Sequence, residues 1–158
     1  MELVSHSPTQ TRNIAARVAG LALTGRVLRL FGGLGTGKTE FVRGLTAAYD
    51  SSTQVRSPSF TLVNTYPTVP PIYHADLYRI DGEEEYADLD LEAEASDGIL
   101  VVEWAERAGS LLEDADIDVT ISYIGESDRR ITIVMNDQSA ESRLKALLDE
   151  DSPGAHAP

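Results

Sequence analysis

The sequence predicts an α/β protein built on a mixed, mostly parallel sheet, and three observations carry that prediction. First, an apolar run at Val27–Phe31 leads straight into a glycine-rich loop, residues 32–39, which reads GGLGTGKT. An amphipathic stretch follows from Lys38 to Tyr49. Strand, loop and helix in that order form one half of a parallel βαβ unit. Second, residues 99–102 are a short, wholly apolar run, the pattern of a strand buried on both faces. Third, residues 60–66 with 72–78, and 117–124 with 130–135, read as two pairs of strands that add antiparallel hairpins to the parallel centre.

Each element has a local reason. Ser7-Pro8-Thr9-Gln10 opens a first helix, with serine as its cap, proline at its first position and glutamine three residues after the cap. Ile14, Val18 and Leu21 then share one face. The loop strand, Val27–Phe31, carries Arg29 inside it, and the following helix should turn Phe41, Val42, Leu45 and Ala48 inward. The strands at 60–66 and 72–78 join across Pro67, Pro70 and Pro71. Residues 82–96 are acidic, with a short helix expected around 84–89. The run at 99–102 ends at Glu103, and Ala105–Leu112 reads as helical. A late hairpin turns at Glu126-Ser127-Asp128, and a helix at 139–148 closes the chain with Leu144, Leu147 and Leu148 apolar. We expect one domain over residues 1–148 and a polar, disordered tail at 149–158, which carries two prolines.

Composition narrows the function classes. With 158 residues the chain can bury a sizeable core, and the absence of cysteine excludes disulfides, thiolate metal sites and a cysteine nucleophile. No run approaches the roughly 20 apolar residues of a membrane span. The first ten residues lack the basic-then-apolar order of a signal peptide, so a cytoplasmic protein is expected. The net charge of −13 is unevenly spread. Residues 1–75 carry seven Lys and Arg against three Asp and Glu, while residues 76–158 carry six against 23. The acidic half argues against a broad phosphate-tracking surface for nucleic acid.

The glycine loop has the spacing of a phosphate-binding P-loop, and so predicts a three-layer fold of the P-loop NTPase kind. Gly32, Gly35 and Gly37 let the backbone turn so that successive N–H groups face one anion, and the helix that follows adds its positive end. Lys38 brings a cation to the β- and γ-phosphates, and Thr39 offers a hydroxyl to Mg²⁺. A second oxygen ligand for Mg²⁺ is expected at the end of a neighbouring strand. Asp76 and Glu103 both sit at such ends, and the residues alone leave open which serves the metal and which orients the attacking water. Ser57-Pro58-Ser59-Phe60-Thr61 stands where a γ-phosphate-sensing hydroxyl would be. Trp104 and His74 read first as core or interface residues, and Arg56, Arg79 and Arg107 as surface cations. The chain has no Asn-Lys-x-Asp stretch of the guanine-reading kind, which favours ATP.

Together, GGLGTGKT followed by Glu40-Phe41-Val42-Arg43-Gly44-Leu45, Ser-Pro-Ser-Phe-Thr-Leu-Val from Ser57, His74-Ala75-Asp76-Leu77-Tyr78-Arg79, and Val102-Glu103-Trp104 resemble the TsaE family. These are small bacterial ATPases needed to make threonylcarbamoyladenosine in tRNA, and the resemblance covers roughly residues 5–148. It implies nucleotide binding by Gly32, Gly33, Leu34, Gly35, Thr36, Gly37, Lys38, Thr39 and Glu40, with Mg²⁺ held by Thr39 and Glu103. It further implies that Asp76 and Lys38 support hydrolysis, that Ser59 or Thr61 belongs to the nucleotide-sensing switch, and that Trp104 lies beside the metal. The implied partners are TsaB and TsaD, with tRNA met through that complex and no membrane. Three residues depart from the family pattern: Gly33 where an acid is usual, Thr36 for alanine and Ser59 for threonine. A small-molecule or nucleoside kinase, and an ATP-controlled assembly scaffold with negligible turnover, are the alternative functions. A kinase would need a basic lid, and the stretch after Asp81 is acidic instead.

Overall fold

The computed structural model describes residues 1–21 and 23–149. Among them, seven strands form one sheet: β1 (Glu2–Ser5), β2 (Val27–Phe31), β3 (Val63–Tyr66), β4 (Ile72–Asp76), β5 (Ile99–Glu103), β6 (Ile117–Tyr123) and β7 (Arg129–Met135). Their order is β1-β7-β6-β2-β5-β4-β3. The central strands β6, β2, β5 and β4 are parallel. Antiparallel pairing adds β7 and β1 at one edge and β3 at the other.

Helices cover both faces, and the alternation of β5 shows how. Ile99 and Val101 join Leu28, Leu30, Phe41, Val42 and Leu45 in one buried cluster, with α1 (Pro8–Ala19), α2 (Lys38–Tyr49) and α5 (Gln138–Asp149) above it. Leu100 and Val102 face the opposite way, onto Ala75, Leu77, Tyr86, Leu91, Ala108 and Leu112. That second layer comprises α3 (Glu83–Ala87), α4 (Leu91–Glu94) and a 3₁₀ segment, Ala105–Leu112. A strand buried on both faces needs no polar alternation, which is why β5 is apolar until its last residue. Among the described residues, no helix is long and apolar enough to cross a membrane.

Local signals account for the elements that hold the loop. Ser7 caps α1 by accepting from the Gln10 amide at 3.2 Å, and the Gln10 side chain accepts from the His6 amide. α1 lies tightly against α2, where Gly44 meets the backbone of Arg12. A Cβ at Gly44 would fall inside contact distance of the Arg12 carbonyl, so the two helices could not keep this approach. Gly44→Ala should therefore lower unfolding stability by about 1–3 kcal/mol, read as a shift in the urea midpoint. An unchanged midpoint would show that the helices separate freely.

Several expectations are corrected. Residues 60–62 are not strand: Leu62 has φ 68° and its amide donates back to the Pro58 carbonyl, closing a turn that leaves Phe60 92% exposed. β4 stops at Asp76, because the Asp76 side chain then accepts from the Tyr78 amide and breaks the extended run. Ala48 faces out, since the last turn of α2 passes beyond the sheet and Tyr49 reaches back to the Ala19 carbonyl at 3.0 Å. The short helix expected near 84–89 is present as α3, a second short one that was not expected follows as α4, and Ala105–Leu112, expected as a helix, is a 3₁₀ segment that bends at Gly109. β1 was not expected at all; its four residues pair only with β7. α5 extends through Asp149, and residues 150–158 of the expected tail lie outside the described residues.

Candidate functional site

Three neighbouring parallel strands end at one edge of the sheet, where an α/β sheet opens its ligand crevice. β2 delivers the glycine loop, β5 delivers Glu103 and β4 delivers Asp76. In register, Leu30 pairs with Glu103 and Glu103 with Asp76. The two acids thus stand side by side on adjacent strands, next to the strand that feeds the loop. Both are buried, Glu103 at 3% exposure and Asp76 at 5%.

Gly32, Gly35 and Gly37 all take positive φ, at 144°, 74° and 113°, which residues with a Cβ rarely adopt. The first bond within α2 is made by the Phe41 amide to the Gly37 carbonyl at 3.0 Å. The amides of Lys38, Thr39 and Glu40 therefore have no acceptor within the helix and point off its positive end. Lys38 folds back so that Nζ donates to the carbonyls of Gly32 at 2.7 Å and Gly33 at 2.9 Å. Its ammonium also lies 4.2 Å from the centre of the Trp104 ring. Burial lowers the Lys38 pKa below that of an ordinary lysine, and Glu103, Asp76 and Glu106 offset this only in part.

The structure distributes the acids between two walls of an open cleft of about 260 Å³. On the loop side, Thr39 Oγ1 donates to Glu103 Oε1 at 3.0 Å. On the opposite side, Ser59 Oγ donates to Asp76 Oδ2 at 3.1 Å, and Ser57 lies 2.7 Å from Ser59. Leu34, Gly35, Gly37, Glu40 and Trp104 complete the lining. Glu40 is held by Arg12 at 2.6 Å and by Arg43. Thr61 is directed away, onto Asn64 Oδ1 at 2.7 Å. Arg56, Arg79 and Arg107 do not line the cleft. Gly32 and Gly33 contribute carbonyls to Lys38 and do not line the cleft.

Hard oxygen donors beside an anion-ready loop suit a small divalent cation such as Mg²⁺, which keeps water and takes phosphate oxygens as ligands. Thr39 and Glu103 supply two such donors. Among the described residues no cluster of three or more His, Cys, Asp or Glu could hold a metal by itself. An ion here would draw its other ligands from phosphate and water.

Sequence reasoning missed the supports behind the loop. Tyr123 donates its hydroxyl to the Leu34 carbonyl at 3.3 Å, and Arg129 Nε donates to the Thr36 carbonyl at 3.1 Å. The Arg129 guanidinium stacks 4.1 Å from the Tyr123 ring centre. These residues flank the β6–β7 turn, far along the chain, and nothing local marks them. Thr36, one of the departures from the family pattern, donates its hydroxyl to the Gly33 carbonyl at 3.0 Å.

Residues 5–131 match the family described as "Threonylcarbamoyl adenosine biosynthesis protein TsaE". The chain belongs to the TsaE family. Among TsaE relatives, the tRNA threonylcarbamoyladenosine biosynthesis protein TsaE of Bacillus subtilis is 37% identical over 145 residues, covering 91% of this chain and 89% of the relative. The TsaE of Treponema pallidum is 33% identical, covering 84% of this chain and 99% of its own length. The crystal structure of Bacillus subtilis YdiB superposes with a TM-score of 0.75 at 30% identity, covering 96% of each chain. The span matched to TsaE contains Lys38, Thr39, Asp76, Glu103 and Trp104, as well as the loop supports Tyr123 and Arg129.

Proposed function

We propose that the chain is a Mg²⁺-dependent ATPase of the tRNA threonylcarbamoyladenosine machinery, hydrolysing ATP in complex with TsaB and TsaD so that the modification can turn over repeatedly. The observation that carries this is the convergence of Lys38, Thr39, Glu103 and Asp76 on one cleft, with the carboxylates held by different walls. The names of the relatives supply the pathway.

Each residue has a chemical task. Lys38 and the free amides at the start of α2 bind the phosphates. A phosphate oxygen offers Nζ a charged acceptor in place of two neutral carbonyls, which strengthens the bond. Thr39 and Glu103 hold the metal, whose charge neutralises the phosphate oxygens. Asp76 Oδ1 is fixed by the Tyr78 amide at 2.9 Å, leaving Oδ2 to orient a water and take up its proton. Ser59 donates to that same oxygen, so a water bound there would share or compete with its hydroxyl, and an exchange of partners would give the loop a nucleotide-dependent state. Trp104 covers the Lys38 ammonium and restricts water at the loop.

The deciding experiment is ATP hydrolysis by the purified protein, alone and with the TsaB–TsaD pair. Slow turnover alone and clear stimulation by the pair are expected, because P-loop enzymes can be very slow without a partner. Tight Mg-ATP binding without stimulation would instead support an assembly scaffold. Glu103→Gln removes the charge but keeps an oxygen for Thr39. It should raise the Mg²⁺ concentration needed for nucleotide binding by about tenfold or more, with little change in Mg²⁺-free binding. Equal loss with and without Mg²⁺ would remove Glu103 from the metal.

A further inference from the structure

A buried chain of hydrogen bonds joins the two walls of the cleft from behind, and the hydrolytic chemistry does not itself need it. His74, fully buried on β4, approaches Glu103 Oε1 through Nε2 at 2.8 Å and the Tyr66 hydroxyl through Nδ1 at 3.0 Å. A carboxylate only accepts, so the proton of that first bond is on Nε2. Tyr66, on the edge strand β3, also reaches the Arg56 carbonyl with its hydroxyl at 2.9 Å, and Asn64 Nδ2 donates to the same carbonyl at 3.2 Å. Arg56 is joined directly to Ser57, the first residue of the segment that returns to Asp76 through Ser59. The path therefore runs from Thr39 through Glu103, His74 and Tyr66 to the Arg56 backbone, then round the loop to the second acid.

Packing alone does not require this arrangement. Phenylalanine would fill the Tyr66 site, which is 5% exposed, and any apolar side chain would avoid burying an imidazole. Buried polar groups are costly unless fully partnered, and a satisfied chain of them fixes one geometry. Groups that hold a metal-binding side chain from behind set its orientation and tune the site. Burial raises the Tyr66 phenol pKa, so the hydroxyl keeps the one proton that it gives to the Arg56 carbonyl.

We propose that His74 and Tyr66 are positioning residues that couple the carboxylate of Glu103 to the backbone of the loop bearing Ser57 and Ser59, so that metal and nucleotide at one wall set the conformation of the other. The coupling rests on the Mg-ATP function proposed above. It makes the 57–62 segment responsive to occupancy of the phosphate loop through the protein, in addition to any direct contact with the ligand.

Two readouts independent of turnover test it. Trp104 is the chain's one tryptophan and lies against Lys38, so its fluorescence reports occupancy of the cleft. Hydrogen exchange of the amides of Ser57 and residues 59–62, among them Leu62 bonded to Pro58, reports the loop. With a non-hydrolysable ATP analogue, the parent protein should show slower exchange at 57–62 when Mg²⁺ is added. Tyr66→Phe should keep the Mg²⁺-free fluorescence response, lose the Mg²⁺-dependent slowing, and need about tenfold or more Mg²⁺ for half-saturation. His74→Gln, which can still donate to Glu103, should lose the slowing as well, and the double variant should be no worse than either single one. If His74→Gln fails to fold, Tyr66→Phe decides alone. Parental slowing and a parental Mg²⁺ midpoint in Tyr66→Phe would overturn the coupling. A parent whose Trp104 fluorescence ignores Mg-ATP would instead remove the underlying function, and the coupling with it.

Discussion

Asp76→Asn is expected to bind Mg-ATP as the parent does and to lose hydrolysis by about 10²–10⁴-fold, the usual contribution of a positioned acid–base group. The substitution keeps an oxygen for the Tyr78 amide and puts an NH₂ where Oδ2 stood, which can donate to the Ser59 hydroxyl oxygen, so the wall of the cleft should stand. What it removes is the negative charge proposed to orient water and accept its proton. Because Asp76 makes no bond to the glycine loop, binding and chemistry separate cleanly at this residue. Equilibrium binding followed by Trp104 fluorescence, alongside single-turnover phosphate release with TsaB and TsaD present, checks both halves. Parental phosphate release would displace Asp76 from the reaction, and a parallel loss of binding would place it at the metal instead.

Lys38→Met should produce the opposite split. The methionine stem can still pack against Trp104, but the ammonium proposed to meet the phosphates is gone. Removing one partner of a buried, charge-assisted pair costs about 2–5 kcal/mol, which corresponds to roughly 30- to 4,000-fold weaker nucleotide binding. The empty protein should not suffer in the same way. Burial lowers the Lys38 pKa, so the folded state holds this proton less tightly than the unfolded chain does. The charged form therefore opposes folding below the lowered pKa, and that penalty fades as pH rises through it. Lys38→Met should melt no lower than the empty parent at neutral pH, yet gain nothing from added Mg-ATP. A variant that melts lower and still binds ATP would contradict both parts.

The legible and illegible parts of the molecule divide by the range of the interactions that fix them. β2 and α2 have their expected limits because an apolar run, three turn-forming glycines and a helical period all act within a few residues of one another. β5 was legible because burial on both faces writes itself as an unbroken apolar run. β1 was not, since Glu2–Ser5 has one exposed edge and takes its order from β7. Residues 60–62 have a strand-like composition, but the bond from Leu62 to Pro58 and the bond from the Asp76 amide to the Leu62 carbonyl bend them into a turn. At the site, the residue types and strand-end positions of Asp76 and Glu103 could be read, whereas their different partners could not. That difference comes from α2 reaching over β5 to bring Thr39 to Glu103, while the segment after α2 brings Ser59 to Asp76. Tyr123 and Arg129 gained their places only through the fold.

The clamps behind the glycine loop also set a timetable for the chain as it is made. Gly32 to Thr39 leave the ribosome with β2 and α2, but the strands that flank β2 are β5 and β6, and the groups that grip the loop from outside are Tyr123 and Arg129. At about 5–20 residues per second, on the order of ten seconds of translation separates the loop from its clamps. Through that interval the nascent polypeptide carries an apolar strand with unpaired edges and a phosphate loop with nothing behind it. The β6–β7 hairpin must dock, and β1 must then find β7, before the first-made motif acquires its working shape. The glycine loop, gripped in this shape, is thus among the last features the growing chain completes.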